Sequence, residues 1–165
     1  MELYLIRHGI AEDKQPEIKK DEERSLTKQG RQKTEKVAQK IKNLGLQFEL
    51  ILTSPLVRAR QTAEILVAAG LSNQLEESTD LAPNGEIEPW LKSWLEPKDY
   101  AQNTQIALVG HEPCLSNWAE ILLWGEVKHS LVLKKAGMIG IKLPEIGSPL
   151  GRSQVFWLTP PKYLL

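Results

Sequence analysis

Three short apolar runs, each ending in a polar motif, constrain the fold of this 165-residue chain more than any other feature. A continuous apolar run of this length is typical of a strand covered on both faces, as in a parallel sheet. The runs and their motifs are Leu3–Ile6 before Arg7-His8-Gly9, Leu50–Leu52 before Thr53-Ser54-Pro55, and Ile106–Val109 before Gly110-His111-Glu112-Pro113. Because ligands of open α/β sheets bind at the carboxyl ends of the strands, we expect the motifs to form one site. Their Arg and His side chains favour an anion.

Helical patterns separate the apolar runs, which predicts strands that alternate with helices. The predicted helices run from a Thr27 cap to about Asn43, from Pro55 to near Gly70, over Glu86–Leu95 and over Pro113–Trp124. A short edge strand is predicted within Glu76–Leu81, and a terminal hairpin pairs Met138–Leu143 with Gln154–Leu158. Residues 1–165 are therefore predicted to form a single domain, a three-layer α/β/α sandwich with a mostly parallel central sheet. Right-handed crossovers would place the motif-bearing strand ends on one edge.

The charge balance argues against two classes of partner. The chain has 21 Lys and Arg and 21 Asp and Glu residues, a formal net charge of +0, whereas proteins that bind nucleic acid or anionic membranes usually carry a basic excess. No apolar stretch approaches transmembrane length, so we expect a soluble, cytoplasmic, monomeric protein. The single Cys114 and the three histidines lack metal-ligand spacing, so no metal or other cofactor is expected.

His8 is the candidate nucleophile. A neutral imidazole can attack phosphorus and form a phosphohistidine, which divides one displacement into two steps. This chemistry requires one free ring nitrogen and a second, proton-bearing nitrogen that is held by a backbone carbonyl. The alternative is a histidine that only packs at the end of a strand. The adjacent Arg7, and the second histidine at another strand end, favour the nucleophile.

Arg7 and Arg58 are the candidate clamps for phosphoryl oxygens, since a guanidinium can bind two of them at once. Arg58 falls in the first turn of a predicted helix, whose free amides and dipole also favour an anion. Arg60 competes with Arg58 for this role, and their spacing barely separates the two. A protonated His111 would add positive charge and a donor, although a capping or buried histidine is the alternative. His129 lies in a charged stretch and is predicted to be at the surface.

Three motifs together resemble those of a known family. They are Leu5-Ile-Arg-His-Gly9, Ser54-Pro-x-x-Arg-Ala-x-Gln-Thr-Ala63 and Gly110-His-Glu-Pro113, in the family's order. On these motifs the chain resembles the histidine phosphatase superfamily, and they extend from its start to near its end. Its small size and the stretches Arg24–Gly30 and Asp80–Glu86 are similar to the SixA-like phosphohistidine phosphatases within that superfamily.

The resemblance implies a phosphate pocket formed by Arg7, His8, Arg58 and His111, in which His8 becomes covalently phosphorylated. It selects Arg58 because this residue holds the first arginine of the second motif. Arg24, from the charged loop before the first predicted helix, is a further candidate for a phosphate contact. Inorganic phosphate, vanadate and tungstate are the ligands expected in such a pocket. The implied activity is that of a metal-independent phosphatase with a histidine nucleophile.

The short region before the last histidine motif indicates which class of substrate to expect. Mutases and phosphomonoesterases of the superfamily carry an acidic proton donor in a longer insertion there, and in this chain Asp80 and Glu86 are the only candidates. A phosphohistidine-bearing protein is the expected substrate, because an imidazole leaves more easily than an alkoxide. Two alternatives stay open. One is a small-molecule phosphomonoesterase that uses Asp80 or Glu86 as its acid, and the other is a phosphoprotein-binding module with negligible turnover.

Overall fold

A mixed six-stranded sheet forms the centre of the protein. The computed structural model describes every residue from Met1 to Leu165. Its strands are β1 (Glu2–Arg7), β2 (Leu50–Thr53), β3 (Leu75–Glu77), β4 (Gln105–Gly110), β5 (Met138–Lys142) and β6 (Gln154–Thr159). They lie in the order β3-β2-β4-β1-β5-β6. The strands from β3 to β1 are parallel, while β5 pairs antiparallel with both β1 and β6.

Four α-helices connect or flank the strands: α1 (Lys28–Asn43), α2 (Val57–Ala68), α3 (Ile87–Trp90) and α4 (Cys114–Trp124). Thr27 caps α1 as predicted, because its hydroxyl accepts a hydrogen bond from the Gly30 amide at 2.9 Å. The chain continues beyond α3 in a wider helical turn over Leu91–Leu95. None of the helices combines the length and apolar character needed to cross a bilayer.

Two predicted boundaries differ from the structure. The second helix begins at Val57 rather than at Pro55, since Leu56 keeps an extended backbone as the N-cap. The predicted edge strand within Glu76–Leu81 is also shorter, because β3 ends at Glu77 and a 3₁₀ turn covers Thr79–Leu81. The Ser78 hydroxyl caps that turn, which lets Leu81 enter the core instead of extending the strand.

Alternate residues of the strands face two different helical layers. Leu3 and Leu5 of β1 pack in a cluster with Trp118 of α4 and with Trp90 of α3. Tyr4 and its neighbour on the same face, Ile6, pack instead in a cluster with residues of α1 and α2. The strand is therefore covered on both faces, as its continuous apolar run indicated. The predicted three-layer α/β/α architecture is confirmed.

The crossovers explain both the layering and the position of a crevice. The chain moves outward along the sheet from β1 through β2 to β3 and then returns to β4. Right-handed connections therefore place α1 and α2 on one face and α3 on the other. The connection that leaves β1 and the connection that leaves β4 run toward opposite edges of the sheet, although the two strands are neighbours. This is a topological switch point, where a ligand crevice opens at the carboxyl ends of the strands.

Candidate active site

The switch point brings the first and third sequence motifs together. Arg7 pairs in register with Gly110 across β1 and β4, and the His8 amide donates to the Gly110 carbonyl at 3.0 Å. The next residue, Gly9, lies against α1, where an added Cβ would come within 2.3 Å of the Thr34 hydroxyl. Only glycine permits this close approach between α1 and the segment that carries His8.

The His8 ring has one protonated and one unprotonated nitrogen, and each forms a hydrogen bond. Nδ1 lies 2.7 Å from the Gly9 carbonyl oxygen, which can only accept, so Nδ1 carries the proton. Nε2 then accepts a hydrogen bond from Arg58 Nε at 3.3 Å. Burial lowers the pKa of His8 to about 3, and the charges of Arg58 and Arg7 act in the same direction. The imidazole is therefore neutral at pH 7.

Arg58 enters the crevice from the first turn of α2 and is only 3% exposed. Thr62, one turn later, donates from its hydroxyl to the Arg58 carbonyl and accepts from the Gly9 amide at 3.0 Å. This residue thus ties α2 to the turn after β1. Arg60, in contrast, is exposed and forms ion pairs with Glu64 and with a glutamate of β3. Of the two competing arginines, the structure places Arg58 beside His8.

His111 follows β4, and its ring centroid lies 5.2 Å from that of His8. Its Nε2 is 2.8 Å from the Ser54 hydroxyl, while its Nδ1 is buried without a hydrogen-bond partner. Burial and the charge of Arg58 lower the pKa of His111 to about 4. Desolvation and a nearby cation both favour the neutral ring, so His111 is neutral in the protein without a bound anion.

The other two predicted arginines, Arg7 and Arg24, form hydrogen bonds with other residues and not with His8. Arg7 donates from Nη1 to the Leu133 carbonyl at 2.9 Å, and its Nε is buried without a partner. Arg24 lies farther out: its Nε bonds to an oxygen of Asp21 at 2.9 Å, and its Nη1 bonds to the Glu12 carbonyl. Arg24 makes no hydrogen bond to His8 and contacts the site through Asp21.

Sequence analysis missed three residues that complete the arrangement: Asp21, Ser54 and Thr62. Ser54 and Thr62 belong to the second motif, so their types and positions were visible without their contacts. Asp21 precedes Arg24 by three residues in the charged loop, a spacing at which oppositely charged side chains often pair. Its carboxylate contacts both Arg24 and Arg58.

The two predicted acid candidates lie outside these contacts. An oxygen of Asp80 accepts a hydrogen bond from the Ser78 hydroxyl at 3.3 Å, and Glu86 is exposed at the start of α3. Neither carboxylate forms a hydrogen bond or an ion pair with His8, Arg58 or the other predicted pocket side chains. Asp21 is the carboxylate that the structure places at the site.

The remaining histidine, His129, and the single cysteine, Cys114, form no hydrogen bond with the predicted pocket residues. His129 is exposed, as predicted for a surface residue. Cys114 is buried at the start of α4, where burial raises the pKa of its thiol and Sγ donates to the Gly85 carbonyl. No group of three His, Cys, Asp or Glu side chains is arranged to hold a metal ion.

The two lowered histidine pKa values predict loss of stability in acid. A histidine in the unfolded chain has a pKa of about 6.5, so between this value and about pH 4 the unfolded state binds protons that folded His8 and His111 do not. The free energy of unfolding should therefore fall as the pH drops below about 6.5, by up to about 1.4 kcal/mol per pH unit for each histidine. Urea unfolding at pH 7.5, 6.0 and 5.0 tests this, and His8→Asn should have a shallower slope. Equal slopes for the wild type and the variant would contradict it.

Proteins of known sequence or structure are similar to this chain over nearly its whole length. An uncharacterized protein of Picosynechococcus sp. is 47% identical over 171 residues, covering 100% of this chain and 99% of its own length. The structure of the protein histidine phosphatase SixA complexed with tungstate is similar with a TM-score of 0.82 and 24% identity, covering 100% of both chains. A phosphoserine phosphatase from Entamoeba histolytica, solved with phosphoserine, is similar with a TM-score of 0.65 and 20% identity, covering 99% of both chains.

The sequence pattern of one family covers the part of the chain that builds most of the crevice. The pattern for the histidine phosphatase superfamily (branch 1) matches residues 3–88, from β1 to the start of α3. This range contains the turn after β1 and the whole of α2, and therefore both elements that place Arg58 beside His8. The chain belongs to the histidine phosphatase superfamily, whose members are phosphatases and mutases that use a histidine nucleophile.

Proposed function

We propose that this protein removes phosphate from phosphorylated histidine in proteins through a covalent phospho-His8 intermediate. The state of the His8 ring carries the proposal. Its Nδ1–H is held by the Gly9 carbonyl, so Nε2 is the unprotonated nitrogen, and its lone pair accepts a hydrogen bond from Arg58 Nε at 3.3 Å that a phosphoryl oxygen can replace. A neutral imidazole with a cation beside its free nitrogen suits attack on a phosphoryl group, because the cation can bind the phosphoryl oxygens as the nitrogen reaches phosphorus.

The reaction then takes two displacements. In the first, His8 Nε2 attacks phosphorus in line, the Nε2–P bond forms, and the P–N bond of the substrate breaks. The departing imidazole leaves as a neutral ring when its other nitrogen already carries a proton. In the second, water attacks phosphorus, the Nε2–P bond breaks, and inorganic phosphate leaves while a proton passes to solvent. The Gly9 carbonyl stabilises the positive charge that the phosphorylated His8 ring carries through its Nδ1–H.

The surrounding charges support phosphoryl transfer, which depends mainly on positioning and on stabilising negative charge. Arg58 and Arg7 supply two guanidinium groups, and the buried Nε of Arg7 is without a hydrogen-bond partner. A phosphoryl dianion beside His111 would raise the pKa of that histidine above its value in the free protein. The protonated ring would then donate a further hydrogen bond, the role that the sequence predicted for it.

The carboxylates favour a P–N substrate over an alkyl phosphate. General acid catalysis is typically worth about 10²–10⁴ in rate, and an alkoxide needs it more than an imidazole that already carries a proton. Asp21 is a poor acid, since its hydrogen bonds and ion pairs with Arg24 and Arg58 outweigh the effect of its partial burial and lower its pKa. Asp80 and Glu86 form no hydrogen bond or ion pair with the predicted pocket side chains. The similarity in fold to a phosphoserine phosphatase supports the alternative, a small-molecule phosphomonoesterase.

Substrate preference separates these two functions. We expect kcat/KM to be largest for a phosphohistidine peptide, intermediate for p-nitrophenyl phosphate, and smaller by about 10² or more for phosphoserine and sugar phosphates. All rates are measured in EDTA, because the proposed mechanism uses no metal. Asp80→Asn and Glu86→Gln serve as controls and should leave the phosphohistidine rate unchanged. If a sugar phosphate is the best substrate and either amide variant abolishes its hydrolysis, the protein is a small-molecule phosphomonoesterase and the proposed function is wrong. Loss of activity in EDTA that a divalent metal restores would contradict the metal-free mechanism.

A further inference from the structure

The guanidinium of Arg58 is bound along one of its two hydrogen-bonding edges by a single residue of the charged loop. Arg58 Nη1 donates to the Asp21 carbonyl at 2.8 Å, and Nη2 donates to Asp21 Oδ2 at 3.0 Å. The carbonyl and the carboxylate of Asp21 thus both accept hydrogen bonds from the end edge of the guanidinium, which is formed by Nη1 and Nη2. The Arg58 side chain is 4% exposed and that of Asp21 is 46% exposed, so Asp21 binds the buried guanidinium from its solvent side.

The other edge of the guanidinium faces His8. A guanidinium has five N–H donors in a rigid plane, and one N–H of Nη2 points in the same direction as the Nε–H. Arg58 Nε lies 3.3 Å from His8 Nε2, so this side edge is turned toward the nitrogen that would carry the phosphoryl group. Two parallel N–H donors on one edge are the geometry that binds two phosphoryl oxygens. Asp21 holds the end edge and leaves the side edge available.

We propose that Asp21 is a positioning residue that aims the Nε/Nη2 edge of Arg58 at the phosphoryl group on His8. The inference rests on the proposed function only in taking His8 and Arg58 as phosphoryl-binding groups. Without Asp21, the guanidinium could rotate about its side-chain torsions and offer one donor in place of two. Asp21 therefore acts through Arg58 and needs no contact with the substrate.

Asp21 is itself held in place, which a positioning residue requires. Its Oδ1 accepts from Arg24 Nε at 2.9 Å and lies 2.8 Å from Arg24 Nη2. Arg24 Nη1 bonds in turn to the Glu12 carbonyl, and the Asp21 backbone belongs to a 3₁₀ turn over Asp21–Glu23. The two oxygens of one carboxylate thus serve two different arginines. This gives Arg24 a role that differs from the predicted phosphate contact, because it fixes the residue that fixes Arg58.

Tungstate binding to the whole protein, measured by calorimetry, gives a direct test that requires no turnover. We expect Asp21→Ala to weaken tungstate binding about tenfold and to lower kcat by about 10- to 100-fold, because misplacement of a clamping group has costs of this order. Loss of a negative charge next to Arg58 would by itself strengthen the binding of an anion. Weaker binding therefore supports positioning, whereas tighter binding would overturn the proposal.

Glu22→Ala is the matched control. It removes a carboxylate from the same 3₁₀ turn, but Glu22 is exposed and makes no hydrogen bond or ion pair with Arg58. Tungstate affinity and kcat should stay at their wild-type values in this variant. A loss equal to that of Asp21→Ala would show that the turn as a whole, rather than the Asp21 contacts, is responsible, and would also overturn the proposal.

A double-mutant cycle with Arg58→Lys tests whether Asp21 acts through Arg58. Lysine has no side edge to aim, so Asp21→Ala should add little to the loss already caused by Arg58→Lys. Additive losses would contradict the proposal. If Asp21→Ala does not fold, Asp21→Asn takes its place, because it keeps one acceptor oxygen and should show a smaller loss in the same direction. If another phosphorylated compound proves to be the substrate, the proposed function fails, while the tungstate measurements still decide the role of Asp21.

Discussion

Replacement of His8 by alanine should reduce phosphohistidine hydrolysis by a factor on the order of 10⁴ or more, since loss of a covalent nucleophile removes the whole two-step route. The expectation follows from the neutral ring of His8, whose Nδ1–H is held by the Gly9 carbonyl and whose unprotonated Nε2 lies beside Arg58. Steady-state rates with a phosphohistidine peptide, together with thermal unfolding to verify the fold, measure the effect.

A trapped intermediate identifies the nucleophile independently of the rate. After a rapid quench at neutral or alkaline pH, label from the substrate should be on His8, in a bond that is labile to acid and stable to alkali. His129→Asn is the control, because His129 is exposed and has a positive φ of 54°, which asparagine tolerates. It should label and turn over like the wild type. Full turnover by His8→Ala, or label on another residue, would refute the covalent mechanism.

Arg58→Ala should lower kcat/KM by about 10³, a magnitude typical of removing a guanidinium that stabilises transferring phosphoryl oxygens. Arg58 is the only arginine that forms a hydrogen bond with the His8 ring, and it does so through Nε. Arg58→Lys should also be poor, since an ammonium is a point charge that cannot bind two oxygens along one edge. Inhibition constants for phosphate and vanadate should rise in both variants.

Arg60→Ala is the comparison that makes this result specific. Arg60 lies two residues farther along α2, has a half-exposed side chain, and pairs with Glu64 and Glu77. Exposed ion pairs contribute about 0–1 kcal/mol to stability, so this variant should fold and retain its activity. Equal and mild losses for Arg58→Ala and Arg60→Ala would mean that the phosphate pocket is elsewhere.

The choice between these two arginines shows where sequence reasoning ends. Residues two apart on a helix differ by about 200° in direction, so the spacing indicates that Arg58 and Arg60 face different surroundings. It does not indicate which of them faces inward, because that depends on how α2 packs against the sheet. The family resemblance selected Arg58, and the structure provides the physical reason, since Thr62 and Gly9 tie α2 to the turn after β1.

Asp21, in the charged loop before α1, is a second residue whose contact with Arg58 could not be predicted from the sequence. The spacing of three residues between Asp21 and Arg24 predicts a local ion pair, but Asp21 lies 37 residues from Arg58 and nothing in the sequence connects these two. Only the folded loop brings both its carbonyl and its carboxylate to one guanidinium. The acid candidates Asp80 and Glu86 illustrate the converse, because the sequence singled them out but the folded protein gives neither of them a hydrogen bond or an ion pair with His8 or Arg58.

The sequence by itself determined those features that depend on residues close together in the chain. The apolar runs are short and continuous, so they form covered strands, and the polar motifs that follow them lie at the carboxyl edge of a parallel sheet. Tertiary structure alone decided the strand order, the burial that makes both histidines neutral, and the edge of Arg58 that faces His8. Each of these depends on contacts between segments far apart in the chain, and their geometry arises only when the layers pack.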